Sequence, residues 1–205
     1  MITMEKLEIM IMELFVADPR KRYSIRDISK SIKKQYAPVH TAVQRLIKKE
    51  ALKKQRIGHT DYCSINMDGD ASIFCFAEAW RAKQFKRKNN DIEIITKEVL
   101  EKLKAQFYAL ILFGSYAKGM QTKNSDVDFL LIADSTSRAE ELERSLAGVL
   151  RLSAKPVHVI SMSCHDFMDM AKSKDANPVN QAIGNHIIFG GCEEFYRMLG
   201  AYDVS

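Results

Sequence analysis

Residues 109–133 read ALILFGSYAKGMQTKNSDVDFLLIA, and the reading of this stretch decides the rest of the chain. It opens on a short apolar run, 109–113, broken by Gly114-Ser115, and closes with Asp126-Val127-Asp128 leading into a second run, 129–133. Apolar runs of this length bounded by turn signals predict buried strands. Between them, 115–119 suits a single helical turn and 120–125 a polar loop.

The residue types then suggest a chemistry. A Gly-Ser pair at the end of a strand, running into a helix start, exposes backbone N–H groups that suit an anion such as phosphate. Gly114 permits close approach of the backbone, and the Ser115 hydroxyl adds a donor. Asp126 and Asp128 are two apart on a strand, so both carboxylates point to one face. Paired carboxylates repel unless a cation lies between them, and Mg2+ takes such ligands together with substrate phosphates. A phosphate cradle facing a paired-carboxylate site is an arrangement for phosphoryl or nucleotidyl transfer. Either half alone has an ordinary structural reading, as a turn or as a solvated pair at a strand edge. The spacing that joins them is the specific feature.

Gly114-Ser115-Tyr116-Ala117-Lys118-Gly119, followed by Ser125-Asp126-Val127-Asp128 and the apolar run, resembles the signature of minimal nucleotidyltransferases of the DNA polymerase beta-type superfamily. The resemblance is strong over 110–132 and extends more loosely to about residue 199. It implies attack of an acceptor hydroxyl on the α-phosphate of a nucleoside triphosphate, ATP among the candidates, with pyrophosphate leaving. It implies Mg2+ on Asp126 and Asp128, with a two-ion site left open. It further implies a triphosphate held near Gly114, Ser115 and Ser125, with Lys118 or Lys123 to balance charge.

Composition sets bounds on the whole. The chain has 205 residues, 46% of them hydrophobic and 28% charged, as expected of a globular protein of one large or two small domains. No apolar stretch approaches the roughly 20 residues of a membrane span. The first twelve residues lack the basic start and cleavage site of a signal peptide, so a cytoplasmic protein is expected. Cys63, Cys75, Cys164 and Cys192 have no paired spacing and are expected as reduced, packed thiols without zinc. The net charge of +5 is unevenly spread: residues 1–66 carry 14 Lys and Arg against 7 Asp and Glu. That asymmetry points to nucleic acid at the first third, with a solvated helix face as the plain alternative.

Within that first third, Leu7, Met10, Ile11, Leu14 and Phe15 recur at helical spacing. Tyr23 suits a short strand. Ser24 with Asp27 suits a capping box ahead of a helix carrying Ile25, Ile28 and Ile32. Pro38 opens a third helix, 37–49, with Val39, Val43, Leu46 and Ile47 inward and His40, Thr41, Gln44, Arg45 and Lys48 outward. Residues 51–66 read as two strands around a turn at 58–61. This order resembles the winged helix-turn-helix of archaeal and bacterial regulators. The third helix would enter a major groove, where Gln44 and Arg45 have the donors to read bases, while Lys53, Lys54 and Arg56 would meet phosphates. Winged helices also serve as protein-docking modules.

Residues 71–88 and 92–103 read as helices, and the division expected is 1–67 winged helix-turn-helix, 68–90 helical connector and 91–205 nucleotidyltransferase domain. Phe74, Phe76 and Trp80 of the connector suit a core or the contact of a homodimer. Beyond the motif, 136–152 is an amphipathic helix and 156–162 an apolar strand. The fold class expected is α+β, a mixed sheet with flanking helices behind the winged helix. The nucleotidyltransferase resemblance leads one to expect a third carboxylate on that last strand, and by position His158 stands there instead. Three readings stay open: an enzyme using His158 as base, a nucleotide-sensing DNA-binding regulator without transfer, or a packing histidine. The acceptor is open too, a protein side chain, an RNA end or a small molecule, with an antitoxin-like partner of a toxin as a further alternative.

Overall fold

The computed structural model describes residues 4–103 and 108–201; residues 1–3, 104–107 and 202–205, which the expected divisions include, lie outside the described residues. The chain is α+β, with two sheets and helices around both. It begins with α1 (Lys6–Ala17), β1 (Tyr23–Ser24), α2 (Ile25–Ser31), α3 (Tyr36–Lys48), β2 (Leu52–Ile57) and β3 (Thr60–Ile65). The three strands form an antiparallel sheet in the order β1-β3-β2.

Local chemistry fixes these elements. Ser24 caps α2 by accepting from Asp27 N at 3.2 Å, and the Asp27 carboxylate accepts from Ser24 N at 3.1 Å, a reciprocal capping box. Val39, Ala42, Val43 and Leu46 form the buried stripe of α3, while Ile47 is only half-buried. The turn between β2 and β3 is shorter than expected, because Thr60 and Asp61 already pair with Ile57 and Arg56.

The buried face of α1 departs from its apolar spacing. Its buried residues are Glu8, Ile9, Ile11, Met12, Phe15 and Val16, because α3 covers one side of the helix and the long helix α4 (Ala71–Lys88) covers another. Glu8 is admitted to that interface as an ion pair. Its carboxylate lies 3.2 Å from Arg45 Nε and 2.9 Å from Lys49 Nζ. Burial pushes the Glu8 carboxyl up, but the Lys49 hydrogen bond, the Glu5 backbone and the two cations outweigh that and hold it below its ordinary value.

The second half runs α5 (Asn90–Lys102), β4 (Tyr108–Phe113), α6 (Gly114–Ala117), β5 (Val127–Ala133), α7 (Thr136–Arg151), β6 (Val157–Ser163), α8 (Cys164–Lys172), α9 (Pro178–Gly184), β7 (Ile187–Gly190) and α10 (Cys192–Gly200). Its four strands lie in the order β6-β5-β4-β7, with β5 and β6 parallel and the other neighbours antiparallel. Alternate strand residues serve two cores. Leu110, Leu112, Phe129 and Leu131 pack with α5 and α7. Ile111, Phe113, Leu130 and Ile132 face the other way, into a cluster that also holds Phe74, Phe195 and the core of α1 to α3.

That shared cluster encloses a polar network on α4. Glu78 accepts from Arg81 Nη1 at 2.8 Å and from the Tyr196 hydroxyl at 3.0 Å, and lies 3.0 Å from His186 Nε2. His186 Nδ1 faces the Ala182 carbonyl at 2.8 Å. Both ring nitrogens therefore face oxygens. Arg81 also donates to the His186 and Val16 carbonyls, so one side chain ties α1, α4 and the segment before β7. The four cysteines are free thiols. Hydrogen bonding with Cys75, then burial, push the Cys192 thiol far above its ordinary value.

Candidate active site

The mixed sheet ends where the motif begins. β4 stops at Phe113, the backbone of Gly114 turns with φ +72°, and α6 makes a single turn through Ala117. The helical turn thus starts one residue earlier than the sequence suggests. Phe113 is the register partner of Asp128 across β4 and β5, which brings the glycine against the carboxylate. A side-chain carbon built on Gly114 would run into Asp128 Oδ2. Glycine is needed here twice, for its left-handed backbone and for the space its hydrogen leaves.

Asp128 lies on β5, and Asp126 stands just before it. In the parallel pair with β6, Asp128 is the register partner of His158. His158 Nε2 lies 3.4 Å from Asp126 Oδ2, so the histidine and both aspartates share one face at one end of the strands. Val157 and Val159 pack on the opposite core. Asp126 and His158 are largely exposed, with side-chain accessibilities of 47% and 64%. Asp128 is more enclosed: burial pushes its carboxyl up, His158 opposes that shift and Asp126 adds to it. A cation between the carboxylates would reverse that penalty.

Among the described residues, no group of three or more His, Cys, Asp and Glu side chains is arranged to hold a metal ion alone. Two carboxylates are nevertheless the usual protein share of a Mg2+ site that draws its other ligands from water and substrate phosphates. The donor set of Asp126 and Asp128 fits that ion.

The remaining motif residues divide. Ser115 is half-buried on α6, and Lys118 is exposed at its end. Ser125 shapes the loop, its hydroxyl accepting from Thr122 N at 2.9 Å. Lys123 lines a different cavity, behind the loop, together with Lys88, Asn89, Tyr116, Gln121 and Lys155. No sequence pattern announces that cavity, since its walls come from four separated segments.

In the first third, His40, Thr41, Gln44 and Lys48 are exposed on α3, and Lys53, Lys54 and Arg56 are exposed on β2. Lys54 pairs with Asp61 at 3.1 Å. A groove runs between α3 and the β2–β3 hairpin, lined among others by His40, Gln44, Lys54 and Arg56. Arg45 differs from the outward orientation expected: its guanidinium turns to Glu5 and Glu8, at 2.6 and 3.2 Å. The buried Glu8 beside it explains the turn.

No helix among the described residues is long and apolar enough to cross a membrane. Among solved structures, the chain is similar to one described as "Crystal structure of the toxin-antitoxin with AMP-PNP", at 22% identity over 55% of this chain and 82% of that one, with a TM-score of 0.32. No curated protein matches the chain in sequence. Residues 81–179, the span that holds the Gly114 turn, both aspartates and His158, match the family model described as a nucleotidyltransferase domain.

Proposed function

We propose that the chain is a Mg2+-dependent nucleotidyltransferase, moving a nucleoside monophosphate from a nucleoside triphosphate to an acceptor hydroxyl, joined to a DNA-binding winged helix. The division 1–67, 68–90 and 91–205 belongs to this reading. The observation that carries it is the contact of Gly114 with Asp128 beside the Asp126–His158 pair. A backbone turn able to face phosphates stands directly against two carboxylates able to hold Mg2+.

In the reaction, the acceptor oxygen forms a bond to the α-phosphorus, the bond from that phosphorus to the bridging oxygen breaks, and pyrophosphate leaves with the electron pair. Mg2+, when bound, neutralises phosphate charge and polarises the phosphoryl oxygens. Asp126 and Asp128 would hold it, together with water and substrate phosphates. The backbone at Gly114 and Ser115 orients the triphosphate, and Lys118 balances its charge. His158 takes the acceptor's proton. With Nε2 turned to Asp126, Nδ1 is the nitrogen left to receive it.

A second reading, a nucleotide-sensing DNA-binding regulator, is favoured by one observation: the register position beside Asp128 holds a histidine, a poorer Mg2+ ligand than a carboxylate. Transfer of labelled nucleotide by wild type, His158→Asp and His158→Ala, with candidate acceptors present, separates the two. Transfer by wild type and His158→Asp, with a drop of about 100-fold or more in His158→Ala, is expected of the enzyme. Binding with no transfer in wild type, and a gain in His158→Asp, would establish the sensor.

The DNA reading rests on the exposed His40, Thr41, Gln44 and Lys48 beside the basic Lys53, Lys54 and Arg56. In gel shifts of the full chain, Lys53→Ala with Lys54→Ala should weaken binding to every sequence and flatten the salt dependence. Gln44→Ala should mainly relax sequence preference. Arg45→Ala should instead lower stability, since it removes a partner of buried Glu8. Absence of any shift at low salt would make the module a protein-docking one.

A further inference from the structure

We propose that Lys155 is a positioning residue for nucleotide binding, holding the phosphate-facing turn at Gly114 and Ser115 against the paired aspartates through Tyr116. This role rests on the nucleotidyl-transfer reading, since it concerns how that site keeps its shape.

The turn cannot hold its own orientation. α6 has only four residues, and a single helical turn is not stable by itself. It starts at Gly114 and is followed by Gly119, both with positive φ, so the backbone is permissive on either side. Its direction is therefore set by what its side chains grip. Ser115 and Ala117 are half-buried, and Lys118 beyond them is exposed. Tyr116 is the anchor: it is 3% exposed, within the cluster that holds Leu112, Val127 and Phe129.

Lys155 holds the far end of that anchor. Its Nζ lies 5.6 Å from the centre of the Tyr116 ring and pairs with Asp91 at 3.4 Å. A hydrogen bond to the Tyr116 side chain, together with Asp91, keeps its ammonium above its ordinary value. Asp91 is fixed in turn, accepting from Ile92 N at 3.0 Å in the first turn of α5. The chain then carries the same fixed point to the other half of the site. Lys155 is followed by Pro156, whose carbonyl accepts from Val127 N at 2.9 Å. Val127 stands between the two aspartates, and β6 runs on from Pro156 to His158. One lysine and the peptide after it thus set the glycine turn in register with both carboxylates and the histidine. Lys155 itself lines the cavity behind the loop, which none of Gly114, Ser115, Asp126, Asp128 and His158 lines, so it acts through Tyr116 and not by touching the phosphates. A misplacement of about 1 Å in such a site can cost on the order of 100-fold.

The test is calorimetric titration of the full chain with Mg2+ and the α,β-methylene analogue of ATP, which cannot lose pyrophosphate. Each variant is titrated well below its own melting temperature. Lys155→Met keeps the aliphatic stem and removes the charge, and it should weaken binding about tenfold or more. Lys155→Arg, which restores a cation to Tyr116 and Asp91, should recover most of that loss. Tyr116→Phe keeps the ring and removes the hydroxyl, and it should also weaken binding. The double variant should then be no weaker than Lys155→Met alone, because both changes break one path. Should Lys155→Met fail to fold, Tyr116→Phe and Lys155→Arg carry the test. A lowered melting temperature with full affinity would make Lys155 a structural residue only and overturn the proposal. Losses that add in the double variant would overturn it too, since they would mean that Lys155 meets the phosphates directly. Failure of wild type to bind the analogue would instead overturn the nucleotidyl-transfer reading and this role with it, so the wild-type titration tells the two failures apart.

Discussion

Gly114 carries two constraints that substitution can separate. Its φ of +72° is unfavourable for any residue with a side chain, by about 1–2 kcal/mol. Its missing side chain also leaves room for the Asp128 carboxylate. Gly119 has a similar φ of +66°, but a side-chain carbon there would meet nothing within 4 Å. Gly119→Ala should therefore show only the backbone effect, a modest loss of stability with Mg2+-dependent nucleotide binding retained. Gly114→Ala should show the same loss and also displace Asp128, lowering nucleotide affinity at least tenfold. Melting curves and nucleotide titrations of the two variants check this, and equal nucleotide affinity in both would refute the contact's role. The paired aspartates and His158 were legible in the sequence because strand periodicity puts alternate residues on one face. The orientation of Arg45 was not, because helical spacing alone cannot reveal the buried Glu8 that draws it inward.

At the scale of elements, existence and order were legible and burial was less so. Turn residues, caps and apolar runs gave the helices and strands of both halves to within a few positions. Apolar spacing misjudged α1 because that helix is covered on more than one side, and it gave no hint that α4 carries a buried carboxylate. Burial pushes Glu78 up, but Arg81, His186 and the Tyr196 hydroxyl outweigh that and hold it below its ordinary value. A carboxyl whose pKa is depressed by folding contributes its stability fully above its unfolded pKa and loses it as the pH falls through the folded value. At neutral pH, Glu78→Gln should destabilise the chain by about 3–5 kcal/mol, because Arg81 is left without its carboxylate. The gap between variant and wild type should close as the pH falls below the ordinary carboxylate range. Urea unfolding of both proteins across that range measures it, and a gap that is constant with pH would show Glu78 to be neutral in the native state.

At the scale of the whole molecule, the largest core cluster joins the two halves. Phe74 of α4 lies 5.1 Å from Tyr196 of α10, ring centre to ring centre, within a cluster that also includes Ile11, Phe15, Val43 and Leu46. Arg20 reinforces the junction, donating to the side chain and carbonyl of Asn180 at 3.0 Å each. Residues 1–66 alone would leave the α4-facing side of α1 in water, with loss of the burial that offsets the entropy of ordering the chain. The full chain should therefore unfold in urea in one transition, with helix circular dichroism and the fluorescence of Trp80, its single tryptophan, changing together. Phe74→Ala should lower stability by about 3–5 kcal/mol and shift both signals by the same amount. DNA binding and nucleotide binding should then be lost at one common, lower urea concentration, because the groove beside α3 and the carboxylates at the strand ends depend on the same core. Two resolved transitions, or a Phe74→Ala variant that loses nucleotide binding while its DNA binding melts as in wild type, would mean that the halves fold independently and that α4 only tethers them.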